Sequence, residues 1–132
     1  MPPPRQHRRA DAMLQMLSCF NLKPGVELSL FQGHVTAFAA HMREIDLVEA
    51  VGPVMRRVTD TPLDTDRARD HGFFFTMDFR DRAQADASYA YLARREAPGW
   101  GLHQAVFGRV EDAIFICWES PVTPLAAGGD LR

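Results

Sequence analysis

The sequence predicts an α+β domain in which a four-stranded antiparallel sheet carries two helices on one of its faces. Three observations favour this class: strand and helix patterns follow the order βαββαβ, the two helices suffice to cover one side of a sheet, and several strands are apolar on both sides. Because βαβ crossovers are right-handed, both helices are expected on the same side. The opposite side of the sheet is then left open.

The first strand and the first helix are joined by a short turn. The strand is predicted from Met13 to Leu22, and Lys23-Pro24-Gly25 forms the turn. A helix of about five turns follows. Its apolar residues recur at steps of three and four, which is one stripe along a helix: Leu28, Phe31, Val35, Phe38, Met42 and Ile45.

The second and third strands are predicted to be separated by a long charged loop. Residues 47–59 have an extended pattern that Gly52-Pro53 interrupts, because proline cannot donate to a sheet ladder, and residues 54–58 are the best strand portion. Residues 60–70 form the loop. The third strand follows, and its side chains alternate between two sides. Phe73, Phe75, Met77 and Phe79 point to one side, and Phe74 and Thr76 point to the other.

The second helix and the last strand complete the predicted order. Asp81 and Gln84 have the spacing of a capping box, which favours a helix that runs from there to about Glu96. A short irregular or helical piece is expected around residues 103–110. The last strand is predicted over residues 113–119.

The composition indicates one domain with a substantial core. The chain has 132 residues, of which 46% are hydrophobic. We expect the domain to span residues 12–120, between a flexible extension at 1–11 and a flexible tail at 121–132. The net charge of -2 disfavours a general nucleic-acid binder. The N-terminus lacks the apolar region of a secretory signal, so a cytoplasmic location without a membrane partner is expected.

The open side of the sheet predicts a homodimer. It holds Phe74 together with one of two sets from the last strand, either Phe115 and Cys117 or Ile114, Ile116 and Trp118. Such a patch exceeds the few hundred Å² that monomers usually expose. Covering about 500 Å² contributes on the order of 12 kcal/mol before the costs of association. A two-fold axis that pairs this face with itself is the simplest way to cover it.

Several segments resemble the dimeric α/β-barrel superfamily of ferredoxin-like folds. The first comprises residues 19–25 and the residues 31–38 that follow them, and the second is the aromatic third strand. The last comprises residues 101–106 and the following 114–119. Within that superfamily the chain is similar to the stress-responsive A/B-barrel group and to related small bacterial families of unknown function. The resemblance covers about residues 12–120 and implies two sheets that pair into a barrel.

The resemblance also implies candidate functions. Several members hold a small hydrophobic molecule between sheet and helices, and some are cofactor-independent monooxygenases, isomerases or polyketide cyclases. In cyclase-like members a histidine between the second helix and the last strand acts as base, within a Tyr-x-x-His-Pro-x-His pattern. His103 occupies that place, but the His-Pro step is missing and Tyr89 and Tyr91 lie farther upstream. No cofactor is implied.

These observations lead to a ranked set of functions. The surplus of Phe, Met and Trp predicts a small apolar ligand, and we expect the residues that line its site to include His34, Phe38, Tyr89 and Trp100. The alternative is an enzyme in which His103 is the base, because imidazole can take a proton near neutral pH, and Tyr91 orients the substrate. A histidine that merely packs against a turn is the competing interpretation of His103.

Metal binding is not expected. Cys19 and Cys117 lie in apolar extended segments, where buried thiols are the simplest interpretation. His34 and His41 are separated by about 10 Å along the helix, too far to share one ion. The charged loop contains four aspartates, Asp60, Asp64, Asp66 and Asp70, but it lacks the glycine and the closing glutamate of a calcium loop.

A third function, RNA binding, is suggested by the third strand. Residues 71–78 are close to the aromatic motif of an RNA-recognition domain, which has the same βαββαβ order. However, Ser18 stands where the companion motif needs a stacking aromatic residue, Phe74 replaces a small residue, and Asp78 replaces an aromatic one. The sequence therefore disfavours a nucleic-acid partner.

Overall fold

The computed structural model describes residues 12–121, in which five strands and three helices follow one another. The predicted flexible ends, 1–11 and 121–132, lie outside the described residues except for Pro121. The elements are β1 (Leu14–Leu22), α1 (Leu28–Glu44), β2 (Ala50–Val51), β3 (Met55–Arg56), β4 (Phe73–Phe79), α2 (Arg82–Ala93), α3 (Gly99–Phe107) and β5 (Val110–Glu119). Within residues 12–121 no helix is long and apolar enough to cross a membrane.

The strands form one antiparallel sheet in the order β2-β4-β1-β5, and β3 pairs with the same edge of β4 as β2 does. The two central strands are therefore β1 and β4, each the neighbour of a strand that is distant in sequence. All three helices contribute side chains to a single core against this sheet. The predicted α+β class, with helices on one face of an antiparallel sheet, is confirmed.

The strand and helix counts differ from the predicted four and two. The second strand is divided into β2 and β3, because Pro53 has no backbone N–H for the ladder. Gly52 still donates its N–H to the Thr76 carbonyl over 2.8 Å. The irregular or helical piece expected around residues 103–110 is a regular helix that begins earlier, at Gly99, and ends at Phe107.

The start of α2 has the predicted cap. The Asp81 side chain accepts the backbone N–H of Gln84 over 2.8 Å, as an N-cap residue does. The reciprocal bond of a capping box is shifted by one residue, because Gln84 Oε1 accepts the N–H of Arg80 rather than that of Asp81.

The core is aromatic and lies between the sheet and the helices. The Phe20 ring on β1 lies 5.4 Å from the Phe31 ring of α1 and 5.8 Å from the Phe75 ring of β4, measured between centroids. The predicted alternation along β4 is confirmed, since Phe75 is fully buried whereas Phe74 is 37% exposed. The helices thus cover Phe73 and Phe75. These are the two aromatic residues that would stack on bases in an RNA-recognition motif.

The side of the sheet without helices carries an apolar surface that we call the open face: Leu17, Cys19, Phe74, Ile114, Ile116 and Trp118. Residues directly opposite each other in neighbouring strands share a face, and the register pairs Cys19 with both Phe74 and Ile114. Of the two sets that the sequence left possible, the one with Ile114 therefore accompanies Phe74. Cys117 lies on the other side of β5 and is exposed, not buried as expected, because β5 is an edge strand.

Candidate ligand site

His103 lies in a setting made of three aromatic rings. The Trp100 ring stacks on the imidazole at 5.3 Å between centroids, the Phe107 ring lies at 4.8 Å, and the Phe38 ring meets it edge-on at 5.8 Å. Trp100, His103 and Phe107 follow one another at steps of three and four along α3, which places them on the same helix surface. Phe38 comes from α1 and is fully buried.

The buried ring nitrogen of His103 has no hydrogen-bond partner in the part of the chain that the structure describes. Nδ1 is shielded from solvent, and no donor or acceptor among the described residues reaches it. Burial lowers the pKa of His103 below its ordinary value, because the charged imidazolium loses hydration. A neutral imidazole presents one donor nitrogen and one acceptor nitrogen, so Nδ1 can bind a ligand in either role according to the tautomer.

A second buried polar atom without a partner among the described residues lies on β1, one of the two central strands. Ser18 is fully buried on the helix side of β1, and its Oγ also lacks a partner within residues 12–121. The sheet register places Ser18 between Phe75 and Phe115. The Phe107 ring lies 6.1 Å from the Phe75 ring and 5.7 Å from the Phe115 ring. Phe107 thus contacts His103 and both residues that flank Ser18.

Tyr91 is engaged elsewhere. Its Oη lies 2.7 Å from His41 Nε2, in a hydrogen bond that joins α2 to α1. Its ring packs on Gly99 at the start of α3, where a Cβ atom would lie 2.6 Å from Tyr91 Cζ. The Arg94 guanidinium lies 5.3 Å from the centroid of the same ring. The structure therefore pairs Tyr91 with His41 and not with His103.

The predicted site residues separate into two groups. Phe38, Trp100 and His103 are brought together in one cluster. Tyr89, in contrast, is 78% exposed on α2, and His34 is half-buried on α1 without a contact to that cluster among the described aromatic pairs.

Sequence reasoning missed Ser18 and Phe107 as site residues. Phe107 follows His103 by four residues, a signal that becomes visible only when the segment is recognised as a helix. Ser18 was detectable as a polar residue among the apolar residues of β1.

Two of the cavities at the surface of residues 12–121 are large, and neither is lined by His103 or Tyr91. The larger, about 670 Å³, lies on the open face between Phe74, Ile114 and the loop that follows β3. The smaller, about 470 Å³, lies between α1 and residues 51–54. Within residues 12–121 no group of three or more His, Cys, Asp or Glu side chains is arranged to hold a metal ion.

Comparison with known proteins identifies the fold. No model of a known protein family and no curated protein matches the chain. Among solved structures, a protein from Arabidopsis thaliana is 12% identical, with a TM-score of 0.64 over 85% of this chain and 99% of that one. SnoaB, a cofactor-independent oxygenase from Streptomyces nogalater, is 11% identical, with a TM-score of 0.57 over 88% and 98%. A dimeric ferredoxin-like protein of unknown function from Thermobifida fusca is 11% identical, with a TM-score of 0.50 over 81% and 90%.

At these identities the likeness concerns the fold alone. The ferredoxin-like architecture implied by the sequence resemblance is confirmed.

Proposed function

We propose that this protein is a homodimer that binds a small, largely apolar molecule between its sheet and its helices. The observation that carries the proposal is the pair of buried, unpartnered polar atoms, Ser18 Oγ and His103 Nδ1, in an aromatic surround. An unsatisfied buried polar group costs about 1–3 kcal/mol, and native proteins contain few of them. A ligand with an apolar body and one or two hydrogen-bonding groups would satisfy these atoms.

Phe107 determines how such a ligand enters. Its ring occupies the space next to His103 and the residues around Ser18. Side-chain rotation between staggered rotamers is the smallest movement that frees this space. The ligand is therefore expected to displace the Phe107 ring rather than to fill a preformed cavity.

Phenol and toluene are matched probes for this site, since they differ by one hydroxyl group. Two-dimensional amide NMR titration should show phenol binding, with the largest shifts at Ser18, His103 and Phe107. Ser18→Ala should weaken phenol binding several-fold and leave toluene binding unchanged, because only phenol offers the hydroxyl. Phe107→Ala should tighten both. If both probes instead shift only Phe74 and Ile114, the ligand site lies in the groove on the open face and the proposal is wrong.

The homodimer is supported by the open face. Ile116 and Trp118 on β5 remain 38% and 60% exposed, and Phe74 is exposed on the same side of the sheet, on β4. The dimeric protein from Thermobifida fusca shares the fold. Light scattering should return twice the 14.9 kDa of one chain. Trp118→Glu should return one chain mass, whereas Leu30→Glu, at an exposed leucine of α1, should leave the dimer intact. A wild-type mass of one chain at micromolar concentration would contradict the dimer.

An enzyme that uses His103 as base is the second candidate. The lowered pKa keeps His103 neutral and able to accept a proton at neutral pH. The oxygenase SnoaB supports this candidate through its fold. For Tyr91 to orient a substrate, its hydroxyl would have to leave His41.

Oxygen uptake with aromatic diols as probes tests the enzyme. We expect His103→Ala to abolish any uptake that the wild type shows, and His71→Ala, a control at a histidine that is hydrogen-bonded to the Asp112 carbonyl, to retain it. Equal uptake by His103→Ala and the wild type would exclude His103 as the base.

A further inference from the structure

The loop between β3 and β4 is organised around one arginine; we call residues 57–70 the Arg57 loop. The Arg57 guanidinium forms two bonds to the Asp64 carboxylate, at 2.7 and 2.8 Å. It also donates to the carbonyl of Asp66 over 2.8 Å and to that of Arg69 over 2.6 Å. Loops longer than about 12–15 residues without secondary structure are uncommon in compact domains and are usually functional or disordered. These bonds favour an ordered, functional loop.

The Arg57 loop presents apolar side chains to solvent. Leu63 is 91% exposed and Val58 is 58% exposed, and Met55 just before the loop is 49% exposed. A single exposed leucine is ordinary in a folded protein. Here, however, Leu63, Val58 and Met55 line the same 670 Å³ groove as Phe74 and Ile114 of the open face. The apolar surface of the loop is therefore continuous with that of the sheet.

We propose that the Arg57 loop is a dimerisation arm, whose Leu63 packs on the open face of a second copy of the chain. This inference rests on the proposed homodimer and specifies which segment holds it together. A two-fold axis brings each loop to the other protomer's sheet, so that both unpartnered surfaces of the chain are covered reciprocally.

The available area suits a dimer. At roughly 150–250 Å² for a fully exposed aromatic side chain and somewhat less for an aliphatic one, the exposed apolar residues of the loop and the open face amount to about 600 Å² per protomer. A stable interface of standard size uses about 800 Å² from each partner. Without the loop residues the open face supplies less than half of that requirement.

The charges of the loop are compatible with a self-complementary contact. The loop contains three arginines against four aspartates. The Arg57–Asp64 pair and the Arg69–Asp66 pair, both at 2.7 Å, lie within one protomer. Like charges that meet across a two-fold axis disfavour association. Pairing within the loop limits that repulsion, and the interior of the proposed contact is left to Leu63.

A matched pair of leucine substitutions tests the arm. Leu63→Glu and Leu30→Glu place the same charge at two exposed positions, one on the loop and one on α1. Sedimentation equilibrium should show that Leu63→Glu raises the dimer dissociation constant roughly tenfold or more, and that Leu30→Glu leaves it unchanged. Because Leu63 is almost fully exposed, the variant is expected to fold, and Leu63→Ser provides a milder second test.

The outcomes separate the arm from the dimer itself. If Leu63→Glu and Leu63→Ser dimerise like the wild type while Trp118→Glu is monomeric, the arm is wrong and the homodimer stands. If the wild type is monomeric, both proposals fail. A photoreactive residue at position 63, in a mixture of light and heavy isotope-labelled chains, should cross-link to β5 or β4 of the other chain. Cross-links confined to one chain would overturn the arm.

Discussion

Removal of the Ser18 hydroxyl should stabilise the protein. The hydroxyl is fully buried and has no hydrogen-bond partner among residues 12–121, so it carries a desolvation cost of about 1–3 kcal/mol that alanine does not have. Alanine leaves a void of about one oxygen atom, which forfeits a small part of that gain in lost contacts. We expect Ser18→Ala to raise the free energy of unfolding by about 1 kcal/mol and the Tm by about 4 °C.

Ser88 is the matched control for Ser18. It is also buried, but its Oγ donates a hydrogen bond to the Leu47 carbonyl. Ser88→Ala should therefore lose about 1 kcal/mol, since it leaves that carbonyl without its partner. Urea unfolding at one fixed protein concentration measures both variants, because the stability of a dimer depends on concentration. A loss of stability in Ser18→Ala similar to that in Ser88→Ala would refute the reasoning, and with it the main support for a ligand at this place.

Three further predictions concern the surroundings of the site. Gly99→Ala should destabilise the protein by about 1–3 kcal/mol, because the added Cβ meets the Tyr91 ring. Gly101→Ala, with open space around its Cβ, should stabilise it by about 0.5–1 kcal/mol, and thermal unfolding measures both variants. Burial lowers the pKa of His103, so the unfolded chain binds a proton at this residue more readily than the folded chain does. The free energy of unfolding should therefore fall as the pH drops below 6.5. His103→Phe should flatten this dependence, as urea unfolding between about pH 5 and 7.5 will show. Asp81→Ala should cost about 1 kcal/mol in the same assay, through loss of the α2 cap.

The fold was largely predictable because its main elements have strong periodic patterns. The alternation of β4 and the apolar stripe of α1 each depend on neighbours along the chain, and both elements occur where the sequence predicted them. The short strands β2 and β3 were less accessible. Their two-residue pairings depend on which β4 carbonyls remain free, and a sequence pattern does not encode that. The segment of α3 contains two glycines, which weaken the helix signal although packing maintains the helix.

The candidate site was predictable only in part because its contacts are tertiary. His103 was identified through the resemblance to cyclase-like members, which carry a histidine between the second helix and the last strand, and Phe38 and Trp100 do contact it. The hydrogen bond between Tyr91 and His41 joins residues fifty positions apart. Tyr89 was expected to line the ligand site, whereas it is 78% exposed and the ring of Tyr91 packs on Gly99 instead.

Neighbouring residues of strand β1 belong to the two proposed properties of the protein, ligand binding and dimerisation. Ser18 faces the helices, whereas its neighbours Leu17 and Cys19 face the open side of the sheet. A ligand at Ser18 and His103 would therefore lie on the helix side of the sheet, and a partner on the open face would lie on the opposite side. The two functions are thus separable by substitutions at adjacent positions of one strand. The same alternation fixes the register of β1, because a slip of one residue would place the Ser18 hydroxyl on the open face and Leu17 among the aromatic rings.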